Sequence, residues 1–190
     1  FCDVHERAVI PAKTSDILYN IPLLLHETGL DDYVVERLNL NAVVKPDMLE
    51  WQAMIDDIRR PKQTIRLGIV GKYVELHDAY MSVREALYHA GISNHRKIDV
   101  EWIQSGDLEK GKSWEQFEGL DGIVVPGGFG ERGIEGKIMA AKWARENKVP
   151  YLGLCLGMQV MCLEFGRLVL GTDDVNSTEF DEQTEHPIIS

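Results

Sequence analysis

From Ile65 onward, short apolar runs alternate with longer amphipathic stretches, and this alternation is the dominant pattern in the 190 residues. "IRLGIVG" (65–71), "KIDVEWIQ" (97–104), "GIVVPGG" (122–128) and "VPYLGL" (149–154) read as strands, the last two buried on both faces. Between them lie helical patterns. "DAYMSVREALYHAG" (78–91) places Tyr80, Val83, Leu87 and Ala90 at helical spacing, with Asp78 as the expected N-cap and Gly91 as the C-cap. In 134–148, Ile134, Ile138, Ala141 and Ala144 share one face, and 156–166 reads as a further helix. Strands without polar alternation, separated by helices, predict an α/β fold: a mostly parallel sheet flanked by helices.

Before Ile65 the pattern differs. "IPLLLHETGLDDYVVERL" predicts one or two small helices within residues 1–40. Residues 41–63 read as a linker, in which Pro46 and Pro61 bracket a helical pattern carrying Leu49, Met54, Ile55 and Ile58. The chain opens on Phe1 and stops just after Ile188-Ile189, so it is expected to be part of something longer, with the sheet incomplete at the C-terminus.

Composition narrows the function classes. With 20 basic and 31 acidic residues and a net charge of −11, bulk binding to nucleic acid or to an anionic membrane is not expected. No apolar run approaches the length of a membrane span. Cys2, Cys155 and Cys162 make neither an even-numbered framework nor a CxxC pair, which predicts a reduced, cytoplasmic setting and no metal site within these residues. Cys162, beside Met161 and Leu163, is expected to be a structural core cysteine.

Cys155 is different. It lies in "YLGLCLGMQ" (151–159), at a strand end, with Gly153 and Gly157 two residues to either side. Gly-x-Cys-x-Gly is a thiol form of the strained turn that projects a nucleophile away from an α/β sheet. The helix that begins beyond it offers unpaired N–H groups, which favour a thiolate, and the Leu156 N–H is aimed where an oxyanion would develop. "PGGFGERG" (126–133) marks a second strand end, where Gly127 and Gly128 after Pro126 can expose their amides as further oxyanion donors. It lacks the Lys-Ser/Thr of a P-loop and the spacing of a dinucleotide fingerprint.

Together, "PGGFGERG" and "PYLGLCLGMQ" resemble the class I, triad-type glutamine amidotransferases, a flavodoxin-like fold. "GKYVELHDAYMSV" (71–83), "NSTEF" (176–180) and the first 33 residues narrow the resemblance to the CTP synthase family. It implies that residues 1–40 are the end of a P-loop-type synthetase (amidoligase) domain, 41–63 an interdomain linker, and 64–190 a glutaminase domain cut before its triad His and Glu. Cys155 is then the nucleophile toward L-glutamine, with Gly128 and Leu156 as oxyanion donors. Gly128, Leu156, Gly157, Met158, Gln159 and Glu179 line the glutamine pocket, and Phe129 and Arg132 belong to a lid associated with GTP activation. The family also implies UTP, ATP, Mg2+ and a homotetramer, none with a site within these residues. The family's base and its orienting group form a His-x-Glu pair, and no such tripeptide occurs here. His5, His26, His77, His89, His95 and His186 are expected to be surface or structural. Two alternatives follow: these residues alone act as an inactive structural or assembly unit, or the chain is another glutaminase-fold enzyme, such as a γ-glutamyl hydrolase or a DJ-1-like protein, against which its first 40 residues argue.

Overall fold

The change of pattern near Ile65 marks a physical boundary in the computed structural model, which describes residues 3–41 and 45–190. The chain divides there into two compact units, Phe1–Pro61 and Lys62–Ser190. Cys2 and part of the 41–63 stretch lie outside the described residues.

In the first unit the expectation of one or two small helices resolves to two: α1 spans Ile21–Glu27 and α2 Leu30–Arg37, with Gly29 between them at φ 75°. The helix expected between the two prolines is α3, Leu49–Arg59. Its Ile55 is fully buried against Ile17 and Leu23, with Met54 and Ile58 packed alongside. Leu49 departs from the pattern and is exposed at the helix start.

The second unit begins with β1, Thr64–Gly71, whose last four residues are buried. A 3-10 turn at His77–Tyr80 leads into α4, Met81–Ser93. Asp78 therefore lies inside that turn, and the residue at the N-cap of α4 is Tyr80, which makes no side-chain cap. Tyr80 is drawn into the core with Ile69 and Val74, and Val83 and Leu87 pack against them, whereas Ala90 is exposed. Gly91 is not a C-cap either. The helix runs two residues past it, and a Cβ there would meet Ile98 Cγ1 at 2.7 Å and the Arg96 carbonyl at 2.9 Å, so Gly91 serves close packing on the following strand.

That strand is β2, Lys97–Gln104, followed by the short α5, Ser105–Leu108. Next come β3, Gly122–Val125, and α6, Ile134–Asn147, whose Ile134, Ile138, Ala141 and Ala144 are all buried as the pattern predicts. Then follow β4, Tyr151–Gly153, α7, Leu156–Leu170, and a two-stranded parallel sheet of β5, Val175–Ser177, and β6, His186–Ile189.

The main sheet is parallel throughout, in the order β2-β1-β3-β4. It is an α/β fold of the flavodoxin-like kind, with its core between the sheet and α6 and α7. Strand order reverses between β1 and β3, and ligands in such sheets bind outside the strands' carboxyl ends at that switch point. Two expectations of burial fail at the far side. β4 is an edge strand in this sheet, and Leu152 is 52% exposed. Cys162 is an exposed free thiol, because the α7 face that carries Met161, Cys162 and Phe165 is open rather than packed.

Candidate active site

Three loops leave the carboxyl ends of adjacent strands at the switch point: Lys72 after β1, Pro126–Gly130 after β3, and Leu154–Cys155 after β4. The third sets the geometry. Cys155 occupies φ 53°, ψ −110°, a conformation that L-residues rarely adopt, and immediately precedes the first turn of α7. Its thiol is exposed.

The flanking glycines hold this turn tight. A Cβ on Gly153 would lie 2.5 Å from the Gly157 carbonyl and the Met158 amide. One on Gly157 would lie 1.8 Å from the Val125 carbonyl oxygen, an atom already held by the Leu154 N–H at 2.9 Å. The Tyr151 hydroxyl, whose phenol is pushed upward in pKa by burial, donates to the Gly157 carbonyl at 2.6 Å. On the other side of α7, Arg145 Nη2 meets Glu164 Oε1 at 2.7 Å, clasping α7 to α6.

The residues expected around Cys155 divide into those brought to it and those placed elsewhere. Gly127 faces it: a Cβ there would lie 3.5 Å from Cys155 Cβ and 4.0 Å from its Sγ. Gly128 is 3.7 Å from Leu156 Cδ2 by the same measure, so the two expected oxyanion residues are neighbours. Leu156 is the first residue of α7, where a backbone N–H has no acceptor within its own helix. Met158 and Gln159 both donate their amides to the Cys155 carbonyl, at 2.9 and 3.2 Å, with Met158 half exposed and Gly157 buried. Glu179 is exposed in the turn after β5, where its N–H donates to Ser177 Oγ at 3.2 Å; no hydrogen bond among the described residues joins it to Gln159 or Cys155.

Phe129 is 83% exposed at the tip of the 126–130 loop. Arg132, also exposed, lies over the Tyr73 ring at 5.7 Å and donates to the Lys72 carbonyl at 3.4 Å. Of the histidines, His77 stacks on Trp102 with ring centroids 4.6 Å apart, and His26 pairs with Asp31 at 2.5 Å within the first unit.

Two residues that the sequence pattern did not single out complete the site. Lys72 and Lys137 are 6% and 1% exposed, and neither has a salt-bridge partner among the described residues. Lys72 Nζ donates to the carbonyls of Phe129 and Gly130, and Lys137 Nζ to the Pro126 carbonyl at 2.9 Å. Burial, aided by the Lys72 charge and opposed by Cys155, pushes the Lys137 pKa down to about 8. The available signal was Lys137's position in the stripe Ile134, Lys137, Ile138, Ala141, where a charge falls on a face meant for the core. A thiol in a strained turn, first-turn amides and a cation-backed glycine loop can bind an acyl carbon, attack it and hold the resulting oxyanion.

A family model described as glutamine amidotransferase class-I matches residues 75–189. Among curated proteins, the chain is 56% identical over 189 residues to a CTP synthase of Chloroflexus aurantiacus, covering 100% of this chain and 34% of that protein. It is 51% identical to a CTP synthase of Dehalococcoides mccartyi, covering 35% of that one. The chain thus spans about a third of the length of the curated relatives it matches. Among solved structures it is similar to the glutaminase domain of Trypanosoma brucei CTPS with bound acivicin, at a TM-score of 0.61 and 40% identity, over 65% of this chain and 48% of that one.

Proposed function

This chain belongs to the class I glutamine amidotransferase family, and from that premise we propose that it carries the glutamine-hydrolysing nucleophile of a CTP synthase. The observation that carries the reading is the Cys155 turn, an exposed thiol at positive φ immediately before α7 and beside Gly127 and Gly128.

Cys155 Sγ attacks the side-chain amide carbon of glutamine, forming a C–S bond and a tetrahedral oxyanion that the Gly128 and Leu156 amides receive. Collapse breaks the C–N bond, and ammonia leaves with the proton returned by a general acid. Water then cleaves the thioester to glutamate and free thiol. The base and its orienting carboxylate are expected as a His-x-Glu pair, a tripeptide that does not occur in the 190 residues. Gln159 and Glu179 are the side chains assigned to the substrate's amino-acid end.

In the full-length protein the ammonia would aminate UTP activated by ATP with Mg2+, in a homotetramer in the cytoplasm, with GTP as activator. The exposed ring of Phe129 and the exposed guanidinium of Arg132 fit a purine and a phosphate respectively. No helix among the described residues is long and apolar enough to cross a membrane.

The test is CTP formation by the full-length protein and its Cys155→Ala variant. Glutamine-dependent synthesis should be lost while synthesis from free ammonia persists. Retention of the glutamine-dependent reaction would refute the assignment.

A further inference from the structure

We propose that Lys137 is a positioning residue for this glutaminase: its buried ammonium anchors the Pro126 carbonyl and so fixes the Gly127–Gly128 peptide against Cys155. The inference rests on the glutaminase reading above. Lys137 reaches the loop from the first turn of α6, and its Nζ lies 3.6 Å from where a Cβ on Gly128 would be. Its hydrogen-bond acceptor is a neutral carbonyl, 2.9 Å away.

Holding an ammonium inside a protein against a carbonyl alone is costly, and a methionine or glutamine would fill the same space without that cost. The arrangement becomes favourable when negative charge forms nearby. Attack by Cys155 creates such charge beside Gly128, first on the thiolate and then on the oxyanion. The charged and titratable groups facing Lys137 are Lys72 at the end of β1, which opposes its protonation, and Cys155, which supports it. Lys72 also reaches Gly128, its Cε 3.6 Å from where a Cβ there would be, but its ammonium takes the carbonyls of Phe129 and Gly130, whereas the Lys137 ammonium holds the carbonyl that leads into Gly127–Gly128.

The experiment is steady-state glutamine hydrolysis by the full-length protein, comparing wild type, Lys137→Met and Cys155→Ala from pH 7 to 10. Lys137→Met should lower kcat about 10-fold or more with KM for glutamine within twofold, because the anchor acts on the reacting centre and not on the amino-acid end. Wild-type kcat should fall as pH rises through the Lys137 titration near 8, and the variant should lack that limb. A variant with wild-type kcat and the same pH profile overturns the inference and leaves the glutaminase reading intact, provided Cys155→Ala is inactive. Full hydrolysis by Cys155→Ala overturns the glutaminase reading and this inference with it. A wild-type kcat that stays level from pH 7 to 10 rejects the charge role without recourse to any variant.

Discussion

Gly157 sits so close to Val125 that a single methyl group on its Cα would lie 1.8 Å from the Val125 carbonyl oxygen. Two elements are pinned by this contact, the end of β3 and the first turn of α7. Neither can yield, because the Leu154 N–H already binds that oxygen through the β3–β4 ladder. Gly157→Ala should therefore push α7 off the sheet and cost about 3 kcal/mol or more. The check is thermal unfolding alongside the rate of Cys155 alkylation, and both should change.

Tyr151 secures the same turn from below. Its hydroxyl donates to the Gly157 carbonyl at 2.6 Å, six residues along the chain and across the strained turn. Tyr151→Phe keeps the ring and loses only that bond, so it should cost about 1 kcal/mol. Glutamine hydrolysis should fall severalfold with little change in KM, because the turn loses part of its support while the pocket is retained. Unchanged melting and unchanged kcat would show that the bond is dispensable.

The elements most legible in the sequence were those with a long, unambiguous period. β1, β2 and α6 follow from their apolar patterns, and the Cys155 turn follows from the two glycines that flank a cysteine at a strand end. What was not legible depends on contacts through space. Gly91 looks like a helix stop in one dimension, yet it is a contact with Ile98 and the Arg96 carbonyl in three. Asp78 is a good cap by type, but burial of Tyr80 inserts a 3-10 turn before the helix. Lys72 and Lys137 are 65 positions apart in sequence and converge only because β1 ends and α6 begins at the same end of the sheet.

Cys155 bears a backbone conformation that glycine adopts without strain. Cys155→Gly should thus abolish glutamine hydrolysis and raise stability by about 1 kcal/mol, whereas Cys155→Ala should abolish hydrolysis with no such gain. Melting temperatures of the two variants give the comparison. Equal stability would mean that the turn is less strained than its φ of 53° implies.

Ser105, at the start of α5, is fully buried and its Oγ has no hydrogen-bond partner. It packs where a Cβ on Gly133 would come within 2.4 Å of that oxygen, so Gly133 leaves room for the side chain without satisfying it. An unpaired buried hydroxyl carries a desolvation cost of about 1–3 kcal/mol. Ser105→Ala should therefore be neutral or stabilising by about 1 kcal/mol in urea unfolding, and a clear loss of stability would reveal a partner for the hydroxyl.

The depressed pKa of Lys137 also has a consequence for stability. An unfolded lysine titrates near 10.5, and the folded one near 8. Below pH 8 both states hold the proton, and the folded state bears the full burial cost. Between 8 and 10.5 the unfolded state binds more protons, so the Lys137 contribution to stability rises with pH, and above 10.5 the penalty is gone. Lys137→Met has no ammonium to bury. The variant should gain on wild type most at pH 7, with that relative gain shrinking by up to about 3 kcal/mol by pH 10.5. Parallel denaturation of both proteins at pH 7, 8.5 and 10 measures the gap directly and cancels every other group that titrates in both. A gap that does not narrow with pH would mean that Lys137 keeps its proton throughout, and that its charge is better compensated than the single Pro126 carbonyl indicates.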